Sequence, residues 1–413
     1  MRQLSASVTK LAIICATAFL STSGFSETPQ DAISSGEYLA IAGNCVSCHT
    51  APGGSAFAGG VRFATEFGNI YSTNITSHKE AGIGSWTLTD FTRAMRKGVN
   101  AKGEHLYPAF PYTSYALMTD EDIASLWEYI QTIPASDQPA RENKLAFPYN
   151  QRKLMAAWNM LFLDSEPYVS DGSKSAEWNR GAYLVKGPAH CGACHTPRNR
   201  LGAEIQDRFL QGGLLTDITG PRQKLRSWYA VDLTPSANGL GNWSKSDLMT
   251  YLKSGVSAVG TTFGPMNEVI GNSTRHLQDE DIEAIVTYLQ DIPGSPPSAS
   301  SPSQAQMVAG ASLYDIYCGT CHLPTGLGIE GSSPPLMGSA IVNSMNPSSL
   351  INVILYGANK PTHWTPSQQF DKVMEPYGGD LRDDEVVNIV NFIRGSWGNS
   401  APPVTRDQVS RQR

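Results

Sequence analysis

The chain has 413 residues, a formal net charge of −6 and 16% charged residues, a length that suits about two to four domains. The negative balance leaves no basis for holding a phosphate backbone, so nucleic acid is excluded as an expected partner. Seven cysteines set the rest of the reading through their spacing.

The first predicted element is a leader. Arg2 and Lys10 precede the apolar run from Leu11 to Leu20, and the small residues Ser21, Thr22, Ser23 and Gly24 follow it. This is the pattern of a secretory signal peptide over residues 1–26, with the mature chain starting after Gly24 or Ser26. Its loss removes Cys15 and two positive charges. A lipoprotein anchor is not expected at Cys15, because Ile14 before it is not small.

A first unit is expected over residues 27–168. Gly36-Glu37-Tyr38-Leu39-Ala40 reads as a helix running into Cys45-Val46-Ser47-Cys48-His49. A glycine loop, Trp86 and a Thr87 cap then introduce a short helix that ends at Gly98-Val99. Thr119-Asp120-Glu121-Asp122-Ile123 opens a closing helix with Leu126, Trp127 and Ile130 on its apolar stripe; acidic residues suit its first turn, and Pro134 follows its end. The apolar segment from Leu154 to Leu163 is interrupted by Asn159 and falls short of the roughly 18 residues of a membrane span. A packed helix between units is expected there.

The second unit, 169–293, repeats the first. Gly181-Ala182-Tyr183-Leu184-Val185 leads into Cys191-Gly192-Ala193-Cys194-His195. Trp243 and Ser244 then match Trp86 and Thr87, Gly255-Val256 matches Gly98-Val99, and Gln278-Asp279-Glu280-Asp281-Ile282 opens the closing helix. Both tryptophans are expected to pack in cores. A Pro- and Ser-rich linker over 294–303 precedes a third unit over 304–400, with Gly310-Ala311-Ser312-Leu313-Tyr314, Cys318-Gly319-Thr320-Cys321-His322 and a closing helix from Arg382. Residues 401–413 read as a polar tail.

Cys-x-x-Cys-His is the attachment pattern of c-type heme. Two thiols one helical turn apart add to the two vinyl groups of a porphyrin, and the adjacent histidine reaches the iron. A redox pair or half of a zinc site does not require histidine at the fifth position of every copy. Three covalent hemes are therefore expected, on Cys45 and Cys48, Cys191 and Cys194, and Cys318 and Cys321, with His49, His195 and His322 as iron ligands. Every cysteine outside the leader is then used, and no disulfide is expected.

A methionine as second ligand raises the potential and closes the iron to substrates. Class I c-type cytochromes commonly place it ahead of the closing helix. Met374 is the candidate in the third unit, ahead of Met337 and Met345, and Met266 is the candidate in the second. In the first unit Phe110 stands where a methionine might be sought. Met118, just before the closing helix, is the expected donor there; His105 is its rival, and Met95 reads as helical core. The expected architecture is mainly α, three consecutive class I cytochrome c-like domains, each wrapped around one heme c.

Beyond the heme motifs, Leu106-Tyr107-Pro108-Ala109-Phe110-Pro111-Tyr112, Ala157-Trp158-Asn159, the segment Glu177 to Val185 and His190 to Asn199 give the mature chain a wider resemblance. It resembles the triheme cytochrome c subunits of bacterial membrane-bound dehydrogenases of the alcohol, gluconate 2-dehydrogenase and fructose dehydrogenase type. The resemblance implies an electron-transfer subunit on the periplasmic face, without catalytic residues of its own. A separate catalytic subunit carrying FAD or PQQ would supply electrons, and ubiquinone or a terminal oxidase would accept them. No Gly-x-Gly-x-x-Gly fingerprint of a nicotinamide or flavin fold is found. Two other readings stay open: a free periplasmic carrier, and a peroxidase-like heme enzyme using the iron of the first unit.

Overall fold

The computed structural model describes residues 28–217, 225–296, 300–358 and 373–413. The leader over 1–26 and His363 lie outside the described residues. The chain is mainly helical, with three short antiparallel sheets, and its buried apolar residues gather into three large cores and one small one.

Each large core is built on a crossed helix pair. In the first, the leading helix Pro29–Ala42 packs on the closing helix Asp120–Thr132. In the second, Ala176–Lys186 packs on Asp279–Asp291, and in the third Gln304–Tyr317 packs on Asp383–Gly395. The repeated glycine of the sequence pattern lies at each crossing. A Cβ on Gly36, Gly181 or Gly310 would collide with the carbonyl oxygen of Ser125, Ala284 or Asn388 respectively, so only glycine lets the two backbones come this close.

The middle helices Leu88–Lys97 and Lys245–Ser254 begin in matching capping boxes, Thr87 with Asp90 and Ser244 with Asp247. Each ends at a left-handed glycine, Gly98 or Gly255. A basic side chain near its end then ties down the residue before the closing helix: Arg96 Nη2 donates to Met118 O at 2.8 Å, and Lys253 Nζ to Leu277 O at 2.6 Å. The third unit reaches the same end from elsewhere, with Arg413 Nη2 donating to Leu381 O at 2.7 Å.

The first two units face one another with their key contacts exchanged. Tyr38 Oη of the first donates to Asp281 of the second at 2.6 Å and accepts from Gln278 N–H at 3.1 Å. Reciprocally, Tyr183 Oη of the second donates to the Asp122 carboxylate of the first and accepts from Thr119 N–H at 3.2 Å. Tyr38 and Tyr183 hold the same place in the repeat, as do Asp122 and Asp281, so the contact has the reciprocity of a two-fold interface.

The third unit docks on the second through the long hairpin Gln211–Asp217/Arg226–Asp232. Asn352 Nδ2 donates to Ser227 O at 2.7 Å, Ser349 Oγ accepts from Tyr229 N–H at 2.8 Å, and the Arg226 guanidinium lies 3.8 Å from the centre of the Tyr356 ring. The terminal segment is not a free tail. Ala401, Val404 and Val409 are buried, Arg406–Gln412 is a helix, and Arg413 pairs with Asp383 at 2.7 Å. Three apolar residues in a polar run sufficed to bury it. The proline-rich linker likewise begins docked, since Ser295 N–H donates to Thr234 Oγ1 at 3.0 Å.

The helix Leu154–Phe162 lies between the first two units, as the sequence suggested. Asn159 Nδ2 donates to Lys97 O at 2.9 Å, and Trp158 Nε1 donates to Leu201 O at 2.9 Å. Its other face leaves Leu154, Met160 and Leu161 exposed. Among the described residues no helix is long and apolar enough to cross a membrane.

Candidate heme sites

Each Cys-x-x-Cys-His motif lies on a short helical turn directly after a leading helix. Helical spacing places both cysteines of a pair on one side and the histidine beside them. Among the described residues none of the six motif cysteines is joined in a disulfide, and no three or more His, Cys, Asp or Glu side chains come together as a metal-binding group.

The three histidines share one arrangement. Nδ1 of His49 lies 2.7 Å from Thr73 O, Nδ1 of His195 2.7 Å from Val231 O, and Nδ1 of His322 2.9 Å from Pro334 O. A carbonyl only accepts, so each Nδ1 carries the proton and each Nε2 keeps its lone pair for a metal. Burial pulls all three imidazoles below their ordinary pKa and so favours the neutral form that binds iron. The accepting carbonyls lie 24, 36 and 12 residues beyond their histidines, with Val231 in the long hairpin and Thr73 just past the strand Gly68–Tyr71. Sequence reading found the histidines and missed these carbonyls, because a backbone oxygen leaves no residue-type signal.

Desolvation pushes the Cys45, Cys191 and Cys318 thiols up to about 12 and the Cys48 thiol up to about 11. The nearby Cys194 adds to the shift at Cys48, which puts the first two motifs next to each other. His190 Nε2 lies 3.1 Å from Gly43 O, the His190 ring meets Tyr115 edge-on at 5.5 Å, and Asn272 Nδ2 donates to Ser47 Oγ at 2.8 Å. His190 is thus spent on the contact between units.

A cleft of about 2030 Å³ opens on Cys45, Cys48 and His49 and runs to Cys194 and Arg198 of the second unit. Pockets for drug-sized ligands hold about 300–1,000 Å³, so a porphyrin fits. Apolar and aromatic side chains including Trp86, Phe91, Met95, Phe110 and Tyr115 line its first-unit end. The thiol pair, the oriented imidazole and this lining together suit heme c.

The candidate second ligands are placed differently. Met374 packs against the third core in company with Cys318, whereas Met337 and Met345 are exposed. Met266 begins a short helix, Met266–Asn272, after Gly264. Met118 is buried in the first core and is absent from the cleft-lining side chains, whereas Met95 is among them. Its neighbours in the repeat, Leu277 and Leu381, are core residues too. The placement of Met118 therefore speaks for packing. His105 is not part of the cleft lining either; its Nδ1 is buried without a partner. His78 is held in a turn by the Glu80 and Ala81 N–H groups, and His276 Nε2 lies 3.0 Å from Gly271 O.

These sites are those of a c-type cytochrome. Residues 33–134 match the cytochrome c family, and residues 305–393 match the family described as cytochrome C oxidase, cbb3-type, subunit III. The fructose dehydrogenase cytochrome subunit of Gluconobacter japonicus is 38% identical over 92% of this chain and 82% of its own length. The cytochrome c subunit of the quinone alcohol dehydrogenase of Gluconacetobacter polyoxogenes is also 38% identical, over 92% and 84%. The gluconate 2-dehydrogenase cytochrome c subunit of Pantoea cypripedii is 37% identical over 89% and 86%. The chain belongs to this family of dehydrogenase cytochrome c subunits, and its role is that of an electron-transfer cytochrome.

Proposed function

We propose that the chain is a triheme electron-transfer subunit, one heme c in each unit, working with a catalytic dehydrogenase subunit that carries FAD or PQQ and oxidises an alcohol, sugar, sugar acid or aldehyde. The observation that carries this reading is the threefold recurrence of a Cys-x-x-Cys-His turn whose histidine is held by a carbonyl through Nδ1. When bound, heme c supplies reversible one-electron storage. Cys45, Cys48, Cys191, Cys194, Cys318 and Cys321 would form the thioethers, and His49, His195 and His322 would bind iron. Met266 and Met374 would be second ligands in the second and third units. The adjacency of the first two motifs and the docking of the third unit on the hairpin that holds His195 favour a continuous path. The expected leader supports a site on the periplasmic face of the cytoplasmic membrane, with ubiquinone or a terminal oxidase as acceptor.

Pyridine hemochrome analysis should return three hemes per chain. In native membrane extract the chain should co-migrate with a dehydrogenase polypeptide; migration alone would favour the free-carrier reading. Replacing Met374→His should lower one of the midpoint potentials while heme content stays unchanged, because imidazole favours the ferric state more than a thioether does. An unaltered redox titration would remove Met374 from the iron.

A further inference from the structure

The first and second units can be compared residue by residue, and they differ where it matters for the iron. Gly98 O accepts from Leu106 N–H at 2.7 Å, and Gly255 O accepts from Thr262 N–H at 2.7 Å. Across the narrow hairpin that follows each glycine, Val99 pairs with His105 and Val256 with Thr261. Counting onward from these pairs sets Tyr107 against Phe263, Ala109 against Pro265 and Phe110 against Met266. No methionine lies between Lys97 and Leu117, so a register one residue away would place none opposite Met266 either.

The remaining sulfurs near the first core fall at other positions. Arg96 and Lys253 bind the carbonyls of Met118 and Leu277, which makes those two equivalent. The Thr87 and Ser244 capping boxes set Met95 against Leu252. Leu252 and Leu277 both pack in the second core. Met95 and Met118 thus occupy places that the second unit fills with leucine. Phe110 occupies the place of the candidate ligand, lines the cleft beside Cys45 and His49, and packs 5.3 Å from the Tyr115 ring. A phenyl ring offers iron no donor atom.

We propose that the iron of the first unit has His49 as its single protein ligand, and that its sixth position accepts a small uncharged diatomic molecule. Phe91, Phe110 and Tyr115 bring no cationic group to this part of the cleft, so an uncharged ligand enters it at a lower desolvation cost than an anion. The proposal rests on the triheme reading, and the test separates the two. Full-length protein carrying its hemes is first assayed for heme content; a first motif without heme overturns the reading and the proposal together. Dithionite-reduced protein is then titrated with carbon monoxide, and the far-red sulfur-to-iron absorption of the oxidised protein is measured.

One carbon monoxide should bind per chain. Phe110→Met should abolish that adduct and strengthen the far-red absorption by about half, from two methionine-ligated irons to three. Met95→Leu, Met118→Leu and Met155→Leu should each leave both signals unchanged. Native protein inert to carbon monoxide overturns the proposal, as does loss of far-red absorption in any of the three leucine variants. Those measurements decide the matter even if Phe110→Met does not fold.

Discussion

At the scale of the residue, the same chemical problem is solved three times by different neighbours. Each motif histidine has its Nδ1 proton committed to a carbonyl, but the carbonyls belong to Thr73, Val231 and Pro334. Asp281 shows a second kind of commitment. Burial alone would raise its pKa; the two 2.7 Å bonds from Arg180 and the bond from Tyr38 outweigh burial and hold it below the usual carboxylate value. A depressed carboxylate adds stability that is fully present above the unfolded pKa of about 3.9 and is lost as pH falls through the lower folded value. Thermal stability measured down a pH series should therefore fall more steeply below about pH 4 in the native protein than in Asp281→Asn. Parallel curves for the two would mean that the carboxylate adds nothing to the contact between units.

At the scale of the element, the crossing glycines decide how the helix pairs meet. Alanine favours a helix over glycine by about 1 kcal/mol, so propensity alone predicts that Gly181→Ala is stabilising. Its new methyl group would meet the Ala284 carbonyl, a backbone atom that cannot swing aside, and overpacking of this kind costs about 1–3 kcal/mol or more. The variant should lose stability by calorimetry, and a raised melting temperature would show that the helices can separate at little cost. This position was legible as a repeated glycine before each heme motif. Its reason was not, because Ser125, Ala284 and Asn388 lie a hundred or so residues from their partners or nearer, at separations no local pattern encodes. Met118 is a related case: nearness in sequence to a closing helix cannot say which side of that helix a side chain faces, and here the side chain is buried in the first core.

At the scale of the whole molecule, the first two units are joined by a reciprocal pair of tyrosine–aspartate bonds, whereas the third is attached through the outer strand of one hairpin. Ser312 stands in the third repeat where the others have Tyr38 and Tyr183, so the third unit has no means of joining that exchange. Asn352 is fully buried and donates to Ser227 O. Asn352→Ala leaves that carbonyl unpaired at a cost of about 1–3 kcal/mol, and the thermal transition of the third unit should separate from the rest and move down. A single unshifted transition would place the attachment elsewhere.

The sequence by itself determined the heme chemistry, the repeat and the family resemblance, because covalent attachment demands fixed residue types at fixed local spacing and helix starts carry their own caps. Tertiary structure decided which carbonyls orient the histidines, that Phe110 lines the cleft beside Cys45 and His49, that residues 401–413 belong to the third core, and how the units face one another. Each of these is a relation between segments far apart in the chain, settled by close packing and by the pairing of buried polar groups.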